Sequence, residues 1–102
     1  MSVLRWSESA SCRAEVDPHV QVRSFDAELI LLDTKGGDYY AVADAGRDLV
    51  LRLVEGDSIE QAAHALHAEY DVVWPTLCDD VMSLVSDLVS RGLLVLRKVE
   101  AQ

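Results

Sequence analysis

Apolar and polar positions alternate along "HVQVRSF", putting Val20 and Val22 on one face of an extended segment and Gln21 and Arg23 on the other. The run "ELILLD" is denser, apolar from Leu29 to Leu32, and fits a central strand covered on much of both faces. Lys35-Gly36-Gly37-Asp38 then brings paired glycines, which supply the positive φ of a hairpin turn. In the returning strand, "DYYAV", Tyr40 and Val42 share one face and Tyr39 and Ala41 the other. This pattern predicts a three-stranded antiparallel meander.

The period then turns helical. Asp44 is placed to N-cap "AGRDLVLRLVEG", where Leu49, Val50 and Leu53 recur at helical spacing and Gly56 ends the helix. Ser58-Ile59-Glu60-Gln61 is a capping box opening "SIEQAAHALHAEY". Its apolar face is Ile59, Ala62, Ala63, Leu66 and Tyr70. Pro75 stands at the mouth of a third helix, with Thr76 and Asp79 as a second capping pair and Gly92 as its stop. "LLVLRKV" follows as a short extended tail. The fold class is α+β, three antiparallel strands followed by three helices. Residues 1–17 show no sustained period and read as a mobile arm, 18–98 as one domain and 99–102 as a tail.

The third helix is too apolar for a helix packed on one side. At about 100° per residue, its apolar positions fill a stripe roughly 160° wide. One core needs only about 100°. One flank, Leu77, Val81, Leu84 and Leu88, suits the other helices; the second, Cys78, Met82, Val85 and Val89, requires a second cover. The third strand raises the same question, since its far edge has no partner in the pattern. "YYAV" carries no Lys or Pro to blunt an open edge. An edge and an apolar helix flank side by side make a groove for an extended peptide, with main-chain bonds from the edge and pockets from the helix.

Composition narrows the classes. The 102 residues suit a single domain, and the net charge is −9, from 9 basic and 18 acidic side chains. No basic stripe marks a nucleic-acid or anionic-membrane surface. No apolar run reaches the roughly 20 residues of a membrane span, and "MSVLRWSESASC" has no apolar core of a secretory signal, so the expected location is cytoplasmic. Cys12 and Cys78 are too far apart in sequence to form a disulfide framework. Cys78 has no positioned base, His64 and His67 form an i, i+3 pair without further ligands, and His19 stands apart in the first strand. Neither catalysis, a metal nor a cofactor is expected.

The series "ELILLDTKGGDYYAV", "GRDLVLRLVEGDSIEQAAHALHAEYDV" and "DDVMSLVSDLVSRGLLVL" resembles the PqqD-like family of RiPP recognition elements, over about residues 18 to 97. It looks most like the stand-alone form of lasso-peptide pathways. The resemblance implies a winged-helix-like fold in which the leader segment of a precursor peptide adds as a fourth strand beside the third and lies against the third helix. It implies delivery to a separate cysteine protease and a separate ATP-dependent cyclase. Carried over by position, the strand side is Asp38, Tyr39, Tyr40, Ala41 and Val42, and the helix side Cys78, Val81, Met82, Val85 and Val89. Asp79 and Asp80 stand at the groove end, suited to a basic leader residue and also to the dipole of a first helical turn. Many members carry Leu-Asn where this chain has Val42-Ala43, and Asp44 stands in for the missing Asn.

Three alternatives remain open on the residues. One is a leader-binding chaperone of another RiPP pathway, of the radical-enzyme or lanthipeptide type. A second is a winged-helix regulator, opposed by Asp79, Asp80 and Asp87 on the third helix against Arg91 as its single base. The third is a weak dimer formed by pairing two open edges.

Overall fold

The computed structural model describes residues 5–98. The first four residues of the expected arm and the expected tail, 99–102, lie outside the described residues. The arm itself requires correction. Residues 6–16 form a short helix α1 (Trp6–Ser9) and a strand β1 (Arg13–Val16) that belong to the domain. β1 pairs antiparallel with the last strand, β5 (Leu94–Arg97), Arg13 opposite Arg97 and Val16 opposite Leu94. Ala14 and Leu94 are buried in the common core.

The next three strands are β2 (Val20–Ser24), β3 (Glu28–Asp33) and β4 (Tyr39–Ala43), antiparallel in the order β2-β3-β4. The expected meander is present. Burial on β3 is more one-sided than its composition suggested: Leu29 and Leu31 are fully enclosed, Ile30 and Leu32 half-buried. At the hairpin, the Asp33 carboxylate accepts from the Lys35 and Gly36 amides at 2.9 and 3.0 Å, and Gly37 takes φ 80°.

β4 runs straight into helix α2 (Asp44–Val54). Asp44 makes the corner with φ 54°, a left-handed conformation that Asp tolerates better than most residues. Its expected role as N-cap is therefore corrected: Ala43 holds the cap position, and no side chain caps the helix. Helix α3 (Ile59–Glu69) does open on the expected box. Ser58 Oγ accepts from the Gln61 amide at 3.1 Å, and Gln61 Oε1 accepts from the Ser58 amide at 2.8 Å. The Cys12 and Ala10 carbonyls take the next two amides, those of Ile59 and Glu60, at 2.9 and 2.7 Å. The N-terminal segment thus satisfies donors that a helix start leaves open.

Helix α4 (Trp74–Ser90) starts earlier than its capping pattern suggested. Val73 is at the cap position and Pro75 in the first turn, so Thr76 and Asp79 are not a capping pair. Asp79 and Asp80 consequently stand in the second turn. α4 packs on α1, α2, α3 and β5. That explains its wide apolar stripe: the second cover is the chain's own first and last segments. Trp6 of α1 meets Trp74 edge-on at 5.6 Å. Trp6→Ala is expected to remove about 0.5–1.5 kcal/mol of ring–ring attraction besides the lost burial. A thermal melt should then fall by roughly 4–10 °C. An unchanged melting temperature would restore the free-arm description.

Candidate functional site

The backbone of β4 has one satisfied side and one open side. The Asp33 amide donates to the Asp38 carbonyl at 2.8 Å, and bonded pairs alternate with non-bonded pairs along an antiparallel ladder. With Leu31 opposite Tyr40 and Leu29 opposite Val42, the main-chain groups of Tyr40 and Val42 point to β3. Those of Tyr39 and Ala41, with the Ala43 amide, point to an edge that no strand covers among the described residues. The other edge strand, β2, has β3 as its principal neighbour and presents polar Gln21, Arg23 and Ser24. β4 has the face of a helix across from its edge, with which Tyr40 shares a cleft.

That helix is α4. On its near side stand Asp80, Ser83, Leu84 and Asp87, which line one cleft together with Tyr40. Their spacing of three, four and seven residues puts them on one helical face. Leu84 Cδ2 reaches over Gly46, 3.5 Å from where a β-carbon there would stand, and Val42 Cβ lies 3.7 Å from the same point. A β-carbon at Gly46 would make ordinary contact with both, so Leu84 and Val42 converge on the groove floor there. Beyond Leu84 the floor continues into an apolar cleft of about 340 Å³, lined by Leu49, Leu66, Tyr70, Val72 and Leu77 among others. At the opposite end, Asp33, Asp38, Tyr39, Tyr40, Arg91 and Leu93 enclose about 360 Å³.

The strand half of the expected site is brought together here. Tyr39 is 70% exposed and Ala41 is exposed, on the outer face of the sheet; Tyr40 and Val42 face the helices. Asp38 and Asp80 sit at opposite ends of the groove, while exposed Asp79 lines none of these clefts. The expected helix half lies largely inside the protein. Cys78, Val81, Met82 and Val85 are buried, Val85 completely, and Val89 is half-buried against the core. Burial, with the Asp79 charge beside it, pushes the Cys78 thiol up, which keeps it protonated. The exposed helix wall is instead formed by Asp80, Ser83, Leu84 and Asp87. Sequence reasoning had assigned Leu84 to the core flank and left out Asp87. The signal for both was the Asp80–Ser83–Leu84–Asp87 spacing.

A hydrogen bond crosses the groove. The Tyr40 hydroxyl donates to Asp87 Oδ2 at 2.8 Å, and Arg91 Nε donates to Asp87 Oδ1 at 3.1 Å. The hydrogen bond to Asp87, then burial, raises the Tyr40 phenol above its ordinary value. The same bond, with Arg91 alongside, holds the Asp87 carboxyl below the usual range. His64 and His67 are elsewhere, around Trp74: His64 stacks on it at 4.4 Å and His67 meets its edge at 5.2 Å. Among the described residues no helix is long and apolar enough to cross a membrane.

Comparison with known proteins bears on this groove. A family model described as PqqD, coenzyme PQQ synthesis protein D, matches residues 28–94, from β3 to the start of β5. A solved structure of TbiB1 in complex with the TbiA(beta) leader peptide is 27% identical, over 86% of this chain and 99% of that one, with a TM-score of 0.75. A second, lasso peptide synthetase B1 complexed with the leader peptide, is 30% identical, over 84% and 99%, with a TM-score of 0.74. No curated protein matches significantly.

Proposed function

Because the chain belongs to the PqqD family, we propose that it is a non-catalytic adaptor that captures the leader segment of a ribosomal precursor peptide in lasso-peptide biosynthesis. The observation that carries this reading is the open β4 edge facing a half-exposed helix wall at Leu84. The two similar structures, each holding a leader peptide, support it. The leader adds as a fourth strand. The free main-chain groups of Tyr39, Ala41 and Ala43 bind it irrespective of sequence, and the clefts beside Leu84 and Tyr40 read alternate side chains. Asp38 at one end and Asp80 toward the other favour a leader with basic residues, so binding weakens as salt rises.

Captured precursor is then handed to a separate cysteine protease and cyclase in the cytoplasm. Tethering raises the local concentration of the cleavage site, so the adaptor speeds processing without chemistry of its own. The acidic exposed face of α4 opposes a DNA-binding role. The test is fluorescence polarisation of a labelled leader from the precursor encoded with this chain, with wild type and Tyr39→Glu titrated in parallel. Saturable binding that is weakened in the variant is expected. No binding by folded wild-type protein would sink the reading, and a mass that doubles with concentration would replace it with the edge-paired dimer.

A further inference from the structure

The two walls of the groove share the buried core, but each packs mainly on other elements. β4 packs on β3 and α2, while α4 packs on α1, α2, α3 and β5. The span between them is closed by side chains. Tyr40 reaches Asp87 at 2.8 Å, Arg91 holds the other oxygen of that carboxylate at 3.1 Å, and the Arg91 guanidinium carbon lies 4.9 Å from the centre of the Tyr40 ring. Tyr40 also belongs to two of the three clefts along the groove, one shared with Asp33, Asp38 and Leu93, the other with Asp80, Ser83 and Leu84. Its hydroxyl already has a partner within the chain. It is therefore placed to hold the walls as well as to line the clefts between them.

We propose that Tyr40 is a positioning residue: its bond to Asp87, clamped by Arg91, braces β4 against α4 in the free protein and sets the groove width before a strand arrives. This rests on the leader-binding reading above. A receptor edge held at its bound spacing loses less freedom on binding, and that difference appears as affinity. Without the brace, the groove must be narrowed or widened by the incoming peptide itself.

The test is a mutant cycle read by the labelled leader, with folding checked by circular dichroism. Tyr40→Phe keeps the ring under Arg91 and deletes the donor; Asp87→Ala deletes the acceptor. Each is expected to weaken binding about fivefold, a hydrogen bond's worth of about 1 kcal/mol. The double variant should also lose about fivefold, not twenty-five-fold, because residues acting as one unit are not additive. Asp87→Asn retains an acceptor oxygen and should lose less affinity than Asp87→Ala. Single variants that bind like wild type, or losses that multiply, overturn the brace. If wild type fails to take the leader, the leader-binding reading falls and the brace is read in the free protein. Alkaline titration of tyrosine absorbance should then show one phenol returning toward its ordinary range in Asp87→Ala. Superimposable curves for Asp87→Ala and wild type would remove the brace.

Discussion

Ala41→Pro should fold and yet fail to hold a leader peptide. The Ala41 amide points away from β3, so proline deletes no bond of the existing ladder. The residue is exposed, and the restriction proline places on Tyr40, before it, is to the extended conformation that Tyr40 already has. An added strand would meet a different edge. One donor is gone, the pyrrolidine ring stands where the peptide carbonyl must approach, and that carbonyl is left without a partner. Together these cost about 2–4 kcal/mol, at least about a 30-fold loss of affinity. Ala41→Val, with its side chain on the outer face and its amide intact, should bind within a few-fold of wild type. If Ala41→Pro melts normally and binds normally, the leader is not held by its main chain at this edge.

The second large effect separates two adjacent residues of α4. Val85→Glu should unfold the protein, whereas Leu84→Glu should leave it folded and unable to capture peptide. Val85 has no exposed surface, so the carboxylate would be buried without a partner. Such a substitution costs more than about 4 kcal/mol, against a total stability of roughly 5–15 kcal/mol for a domain. Leu84 is half-buried, with its side chain over Gly46 beside the groove floor. A glutamate there reaches water, adds a third acid to Asp80 and Asp87, and removes the apolar contact offered to the bound strand. Denaturation by urea distinguishes the two. A folded, binding-deficient Val85→Glu would return the helix wall to the flank that sequence spacing chose.

The meander, the three helices and the open edge of β4 were legible because each rests on local signals. Alternation marks the strands, the Gly36-Gly37 pair marks the hairpin, and Ser58 with Gln61 marks the start of α3. The burial of Cys78, Val81, Met82 and Val85 was not legible, for a reason of topology. The stripe on α4 was correctly too wide for one neighbour, but its width cannot say whether the extra cover is another molecule or the same chain. The cover includes α1, four residues long, and lies beside a β1–β5 pair that joins positions about 80 residues apart. Neither has a period long enough to see. Two caps failed for a related reason. Asp44 and Thr76 have the right chemistry for an N-cap, but Asp44 is taken by the corner after β4, and α4 begins one residue before Pro75.

Amide hydrogen exchange of the free and leader-saturated protein, resolved by residue, tests strand addition at β4 most directly. In the free protein the amides of Tyr40 and Val42 are protected by β3, while those of Tyr39, Ala41 and Ala43 face solvent. On saturation the account predicts slowed exchange at Tyr39, Ala41 and Ala43, with Tyr40 and Val42 protected throughout. Saturable leader binding that leaves all three outward amides exchanging as before would contradict it.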